Sequence, residues 1–526
     1  VASLLSPTPA PSPTPLAATL SSITLPPAGT DNDPWWNDTV FYEVFVRSFY
    51  DSNGDGTGDL QGLIAKLDYL RDLGVTGLWL MPIQPSPTYH GYDITDYYAV
   101  NPDYGTLADM KQLVNAAHQR GIRVIIDLVL NHTSDQNPWF TAALDPQSPY
   151  HNWYVWSERG GPNWHKASNG LYYYGYFSDR MPDLNYTEPA VTAEMQKVVS
   201  FWLGNLGVDG FRLDAVKYLV ENQAALENSP GTHAWLKDFR AFYKSLTPQA
   251  LTVGEIWDKT ALAASYAQGD ELDLAFDFDL AGLMVSEARV ARGDIFSKKL
   301  QAELALFPPG QVATFLTNHD QPRVASNLND SLPQLKLAAA TLLTSPGVPF
   351  IYYGEEIGML GQKPDEDIRV PMQWSAEKNG GFSTTAPWRA LNPDYLTKNV
   401  AAESANPASL LNFYRALIHL RNDHAALRVG APFFVQADQP GIFSLLRVSQ
   451  AEAVLTVINL SAKPIDAYTL SLAASPLKGR YEPVALLDAE PLAELSVNVS
   501  GGFENYHPLK TLLPQSVFVI QLQSIP

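Results

Sequence analysis

The sequence predicts a (β/α)8 barrel of the α/β class, with an inserted subdomain after the third strand and a C-terminal antiparallel β domain. Three observations carry that reading. Eight short apolar segments between residues 40 and 356 alternate with segments of helical periodicity, the pattern of a parallel sheet that closes on itself. A stretch rich in Trp, Tyr, Asn, Gly and Pro breaks the alternation at 133–188. From about residue 430 the pattern changes to short alternating strands.

The elements follow in chain order. Residues 1–34 begin with a Pro/Ser/Thr/Ala-rich, almost uncharged run and are expected to form a flexible tail, because they bury too little apolar surface to offset ordering. The chain starts without Met, a basic region or a long apolar run, as it would after removal of an export signal. Such a tail suits a tether to a cell envelope, and equally a loose end. The barrel is expected over 35–132 and 189–429. Its first strand is the β-rich run 40–49. LQGLIAKLDYLRDLG at 60–74 spaces its apolar residues as a helix does, with Gly74 as the stop. A strand at 75–82 and a helix at 106–121 come next. RVIIDLVLNH at 123–132 is continuously apolar, as a strand buried on both faces should be. A structureless loop as long as 133–188 does not suit a barrel, so this stretch reads as an inserted subdomain. The alternation resumes with helix 190–207, strand 208–216, helix 232–246 and strand 251–257. Strands 272–280, 312–320 and 348–356 and helices 295–307, 332–345 and 407–427 complete it. Residues 430–526, with strands at 441–447, 453–459 and 515–522, form the β domain. An open doubly wound sheet is the alternative arrangement of the same elements.

Composition narrows the function. Of 526 residues, 46% are hydrophobic and 17% charged, which excludes a chain disordered throughout. No apolar run reaches the roughly 18 residues that a membrane-spanning helix needs. A formal charge of −20 repels phosphate backbones, so no nucleic-acid partner is expected. The absence of cysteine removes disulfides, thiolate metal sites and cysteine nucleophiles. Twelve Trp and 25 Tyr suit a neutral, ring-shaped ligand.

In a barrel of this type the working residues sit at the C-terminal ends of the strands. Those ends carry polar residues that make no sense as core: Asp127, Asn131 and His132 on the third strand, Arg212 and Asp214 on the fourth, Glu255 on the fifth, and Asn318, His319 and Asp320 on the seventh. Residues 212 and 214 leave the strand on one face. A cation beside a carboxylate lowers its pKa, so Arg212 is expected to keep Asp214 ionised. An ionised Asp, a Glu able to hold a proton and a third Asp are what glycoside hydrolysis with retention requires. Taken singly, each has an ordinary reading as a helix cap, a satisfied histidine or a structural ion pair. Their order on four strands is what points to chemistry.

Five segments carry a family resemblance. DLVLNH (127–132), GFRLDAVKY (210–218), VGEIW (253–257) and FLTNHD (315–320) occur in this order, with MPDLN (181–185) in the insertion. From about residue 35 to its end the chain resembles the α-amylase family of glycoside hydrolases, near the subfamily intermediate between oligo-1,6-glucosidases and neopullulanases. The resemblance implies that Asp214 is the nucleophile, Glu255 the general acid/base and Asp320 the transition-state stabiliser. By the same resemblance Arg212, His132 and His319 line the sugar subsite at the cleavage point, and Tyr92 stacks on a pyranose ring beside His90. Asp365 and Arg369 match a pair that holds sugar hydroxyls, with a loop salt bridge as the alternative. Lys217 and Trp257 are expected on the leaving-group side, a packing role for Trp257 being equally open.

DSNGDGTGD at 51–59 places oxygen-bearing side chains at Asp51, Asn53, Asp55 and Asp59 on a glycine-bent loop, which suits Ca²⁺. It is similar to the start of an EF-hand loop, but position twelve is Gly62. Resemblance to the oligo-1,6-glucosidases implies a structural calcium held by those four side chains and the Thr57 carbonyl. A metal-free loop of Asx turns is the alternative. Asn131 and Asp183 match two ligands of a second calcium found in many α-amylases.

The resemblance implies a retaining hydrolase of internal α-1,4-glucosidic bonds in starch and maltodextrins. The alternatives are an α-glucosidase or a 4-α-glucanotransferase on maltooligosaccharides. The loop at 51–59, MPDLN and RVPMQW pull toward exo-acting glucosidases. His90, where those enzymes place an acid, and VKY after Asp214 pull toward amylases. A catalytically inactive sugar-binding module is the remote alternative, since such proteins lose the carboxylates present here. Starch is too large to enter cells, so an extracellular or envelope-attached enzyme, acting as a monomer on α-glucans, is expected.

Overall fold

The computed structural model describes residues 25, 28–221, 226–487 and 492–525. The tail expected over 1–24, 26 and 27 lies outside the described residues. The rest of the stretch read as tail, 28–34, is a correction: it is tied to the barrel. Thr30 N donates to Asp38 Oδ2 (2.7 Å), and Arg428 Nη2 donates to Thr30 Oγ1 (2.9 Å). Polar anchoring does here what apolar burial could not.

Three strands, β1 (Phe41–Val44), β2 (Gly77–Leu80) and β3 (Arg123–Val129), open the barrel. The insertion adds a small antiparallel sheet of β4 (Trp156–Ser157), β5 (Trp164–Lys166) and β6 (Tyr172–Tyr174). The barrel resumes with β7 (Gly210–Asp214), β8 (Leu251–Gly254), β9 (Leu274–Phe276), β10 (Val312–Phe315) and β11 (Val348–Tyr352). Among the described residues these eight parallel strands close in the order β1-β11-β10-β9-β8-β7-β3-β2, with Phe41 beside both Phe350 and Gly77.

The period of two along each strand decides what fills the barrel. Phe41, Trp79, Ile125, Leu251, Val253, Phe276, Phe315 and Phe350 form one interior cluster, and the Phe41 and Phe350 rings stack with centroids 4.5 Å apart. Two residues further along the same faces come Glu43, Asp127 and, past the end of β8, Glu255. On β7, Gly210 gives way to Arg212 and Asp214. The glycine is required: at φ +155° a Cβ there would lie 2.1 Å from Leu251 O. The alternate residues, such as Tyr42, Leu78 and Ile126, pack outward in the larger core shared with the helices.

Several strands are shorter than their apolar runs suggested. Val46–Phe49 is a helical turn. β9 stops at Phe276 because Asp277 accepts from Leu280 N and starts the helix Phe278–Val290. The helix expected over 190–207 becomes a π-helical turn at Phe201–Leu206, and the one over 407–427 divides into Leu410–Asp423 and Ala425–Val429.

The C-terminal strands are β12 (Ala431–Phe434), β13 (Gln436–Ala437), β14 (Ile442–Val448), β15 (Ala453–Asn459), β16 (Leu470–Leu472), β17 (Arg480–Leu487), β18 (Leu495–Ser496), β19 (Phe503–Tyr506) and β20 (Ser516–Ile525). A six-stranded sheet, β12-β14-β15-β20-β17-β18, and a three-stranded sheet, β13-β16-β19, share an apolar core. Two buried arginines gather at the carbonyl end of the helix Leu332–Thr344, Arg447 reaching it from the C-terminal domain and Arg421 from the barrel helix Leu410–Asp423. Arg447 Nη1 donates to Thr344 O (3.2 Å). Arg421 Nη1 donates to Leu343 O (2.9 Å) and Ser345 O (3.1 Å), and its Nη2 to Gly347 O (2.6 Å). A cation there also meets the negative end of the helix dipole. No helix among the described residues is long and apolar enough to cross a membrane.

Replacing Arg421 by Met strands those carbonyls in a dry interior. Arg421→Met is expected to lose at least about 2 kcal/mol of stability, read as a lowered thermal unfolding midpoint. An unchanged midpoint would show that the carbonyls find water instead.

Candidate active site

A cleft of about 700 Å³ opens at the C-terminal ends of the strands, lined by His90, Tyr92, His132, Asp214, Lys217, Glu255, Trp257, Asp320, Asp365 and Arg369. Of the residues that the family resemblance assigns to catalysis or sugar binding, Arg212 and His319 do not line it, nor do the strand-end residues Asp127, Asn131 and Asn318. Arg212 and His319 lie beneath its floor, 1% and 0% exposed.

Arg212 organises the floor. Its Nη1 donates to Asp127 Oδ1 (2.8 Å) and Asp214 Oδ1 (2.7 Å), and its Nη2 donates to Glu255 Oε2. Register explains the meeting. Arg212 pairs with Asp127 across β3–β7 and with Val253 across β7–β8, so the three acids surround one guanidinium. After Asp214 the chain turns through the left-handed conformation at Ala215 (φ 50°) into the 3-10 turn Val216–Tyr218.

One electrostatic expectation is corrected. Asp214 is not held below the usual carboxylate range. Burial pushes it up to about 6. Arg212 opposes this, and the charges of Asp127 and Asp320 add to it. One cation shared by three acids does not outweigh the loss of water. Burial also raises Glu255, to about 7, against Arg212 and with help from Asp214 and Asp320. Both buried carboxyls hold a proton more tightly than they would in water, and they titrate as a pair. Asp320 goes the other way. Burial opposes its charge, but His319 and Arg369 hold it well below the usual range. Arg369 Nη2 donates to Asp320 Oδ1 (2.8 Å), and His319 Nε2 lies 3.1 Å from Asp320 Oδ2.

The walls are polar on one side and aromatic on the other. Tyr92 lies flat over His319, rings 5.6 Å apart and 12° from parallel. His90 Nδ1 accepts from Tyr92 N (3.1 Å). His132 Nδ1 is 3.0 Å from Asn131 Oδ1, and burial lowers its pKa to about 3, so it stays neutral. Trp257 is 49% exposed and stacks on Phe278 at 4.7 Å, leaving its other face toward the cleft. Lys217 Nζ is held by Asp258 (2.9 Å) and Glu227 (3.0 Å). Asp365 does form the loop ion pair with Arg369, but at 3.4 Å, while Arg369 is nearer to Asp320. Tyr218, which ends the segment GFRLDAVKY, also lines the cleft, as do Phe177 and Lys363, which carried no motif in the sequence.

The loop 51–59 holds its oxygens on itself. Asp51 accepts from Gly54 N (2.7 Å) and Gly56 N (2.8 Å), Asn53 from Asp55 N (2.8 Å), and Asp55 from Thr57 N (2.8 Å). Asp59 caps the helix Leu60–Leu73 through Gly62 N (2.7 Å). The oxygen donor set fits a hard cation in chemistry. Among the described residues, no group of three His, Asp or Glu side chains gathers to hold a metal by itself, so Asn53 and the Thr57 carbonyl would have to complete the set. Asn131 and Asp183 do meet, beneath the insertion. Glu221, which no sequence motif marked, joins them: burial and the charge of Asp183 push it up to about 9.

The chain is similar to known proteins over most of its length. The model of the α-amylase catalytic domain matches residues 43–430. "Alpha-amylase 3" of Dictyoglomus thermophilum is 41% identical over 82% of this chain and 86% of its own length. A trehalose synthase/amylase of Mycobacterium tuberculosis is 38% identical over 82% of this chain and 83% of its own. The crystal structure of an α-amylase from H. orenii superposes with a TM-score of 0.78 at 37% identity, covering 92% of this chain and 99% of that one.

The charge of Asp214 contributes to the raised pKa of Glu255, so removing it should lower that pKa. Carboxyl titration by infrared difference spectroscopy is expected to find a group near 7 in the native protein, absent in Glu255→Gln and shifted toward the ordinary range in Asp214→Asn. No shift in Asp214→Asn would separate the two carboxyls electrostatically.

Proposed function

The chain belongs to the α-amylase family of glycoside hydrolases, and from that premise we propose that it hydrolyses internal α-1,4-glucosidic bonds of starch and maltodextrins with retention of configuration. The observation that carries the reading is the meeting of Asp214, Glu255 and Asp320 around one cleft, with ionisation poised for their separate tasks.

In the first half-reaction Glu255, protonated, gives its proton to the glycosidic oxygen while ionised Asp214 attacks the anomeric carbon. The bond to the leaving sugar breaks, and a glycosyl ester on Asp214 forms. In the second, Glu255 takes a proton from water, the water oxygen attacks the anomeric carbon, and the ester bond to Asp214 breaks. Asp320, ionised, faces the positive charge that builds on the ring, and its bonds to sugar hydroxyls tighten as the ring flattens. Tyr92 and Trp257 supply aromatic faces for sugar rings on the two sides of the cut, and His90, His132 and Arg369 supply polar contacts. His90, in place of an acid that would hold a terminal glucose, favours an open cleft over an exo-acting pocket. The polymer's size favours an extracellular or envelope-attached enzyme, and a single chain holds all the groups these steps need.

A timed product profile on soluble starch tests the reading. Internal cleavage predicts an early fall in iodine staining with mixed maltooligosaccharides. Glucose alone from the first minutes would indicate an α-glucosidase, and lengthened products from maltotriose a transferase. Asp214→Asn should keep the fold and lose at least about a thousandfold in turnover.

We further propose that the loop 51–59 takes up a structural Ca²⁺ through Asp51, Asn53, Asp55, Asp59 and the Thr57 carbonyl. The loop is braced against residues 383–388: Ser383 Oγ donates to Asp51 Oδ2 (2.6 Å), Thr385 Oγ1 to Gly54 O (2.9 Å) and Trp388 N to Gly56 O (2.9 Å). Chelation is therefore expected to lower the thermal midpoint, with restoration by added Ca²⁺. An unchanged midpoint with no metal by elemental analysis would remove the site.

A further inference from the structure

A buried pair beneath the cleft takes part in none of the cleavage steps above. Glu43, on β1, lies with its Oε1 2.5 Å from His319 Nδ1, and the two side chains are 2% and 0% exposed. On the other edge of the ring, His319 Nε2 lies 2.7 Å from Tyr92 Oη and 3.1 Å from Asp320 Oδ2.

Carboxylates at both edges set the protonation of this ring. Tyr92 has one hydroxyl proton, with Asp127 Oδ2 at 3.1 Å and His319 Nε2 at 2.7 Å both within reach. Asp127 also receives Arg212 Nη1 (2.8 and 3.0 Å) and Trp79 Nε1 (3.3 Å), as an ionised acceptor does. Next to Nε2, at 3.1 Å, lies the Asp320 carboxylate, which only accepts, so it favours a proton on that nitrogen. Nδ1 faces the Glu43 carboxylate, which favours a proton there as well. An imidazole that donates from both nitrogens is a cation.

We propose that Glu43 is a positioning residue that holds His319 as a fixed imidazolium, and through it keeps Asp320 ionised and Tyr92 flat on the cleft floor. The proposal deepens the glycosidase reading and rests on it. The charged and titratable groups around His319 are Glu43 from β1, Tyr92 from the segment after β2, Asp127 from β3, Arg212 from β7, Glu255 past β8, Asp320 beside it, and Arg369, whose Nε donates to His319 O (2.9 Å). Burial disfavours the cation, but Asp320 and Glu43 together push the ring up to about 9. Without Glu43, only Asp320 remains in contact to support the charge.

The consequence is a pH dependence that a merely structural residue would not produce. In Glu43→Gln the ring should lose its second proton at lower pH. The ratio of variant to native kcat/KM on a chromogenic maltoside is then expected to fall about tenfold between pH 6 and pH 8. A ratio constant with pH would overturn the proposal. A second readout needs no substrate. In protein labelled with ¹⁵N-histidine, the His319 signals, assigned by their loss in His319→Gln, should show both nitrogens protonated at pH 8 in the native protein and a neutral ring in Glu43→Gln. A native ring already neutral at pH 7 would overturn the proposal even if Glu43→Gln failed to fold. Because this titration does not depend on glucan cleavage, a wrong substrate would leave it standing.

Discussion

The guanidinium of Arg212 is fully buried and donates to Asp127, Asp214 and Glu255 together. Three acids this close and this dry could not share a cavity without a cation among them, because each unpaired buried charge costs several kcal/mol at least. Nor could the cation stand there alone. Asp214 shares β7 with Arg212, while Asp127 and Glu255 come from β3 and from just past β8, on either side, so the network exists only when β3, β7 and β8 are paired. The cleft floor and the placement of Asp214 and Glu255 depend on that one interaction.

Burial, ordinarily a cost, becomes the source of the chemistry. It lifts Asp214 to about 6 and Glu255 to about 7, which brings proton exchange at the pair close to neutral pH. Asp320 is just as enclosed but sits between His319 and Arg369, and two cations reverse the effect. Three carboxyls in one cavity thus differ because of the charges beside them. Membership of the α-amylase family is consistent with this arrangement, since a glycosidase needs both an acid and a base within reach of one bond.

Much of this was legible in the chain. The eight apolar runs are long enough, and alternate with helices regularly enough, to announce a closed parallel sheet. Asp214, Glu255 and Asp320 stood out because acids at the ends of apolar strands have no reason to be there as core. What failed to show is instructive. The end of β9 depends on Asp277 capping the next helix, a short-range hydrogen bond that an apolar run hides. Glu43 passed unnoticed inside FYEV, because its partner His319 is 276 residues away in sequence. Glu221 lacked any motif and became visible only where the insertion folds over Asp183. Residues 28–34 were read as loose because composition says nothing about an anchor as distant as Arg428.

By itself the sequence determined the barrel, the alternation of inward and outward side chains, and the identity of the acids at its mouth. These follow from local periodicity and from the cost of putting charge into an apolar run. Only the tertiary structure decided how those acids ionise. Reasoning from two neighbouring residues made Arg212 a partner of Asp214 alone. Closure of the barrel gave it three partners and removed the water, and a carboxyl's affinity for its proton is set by everything that surrounds it in space.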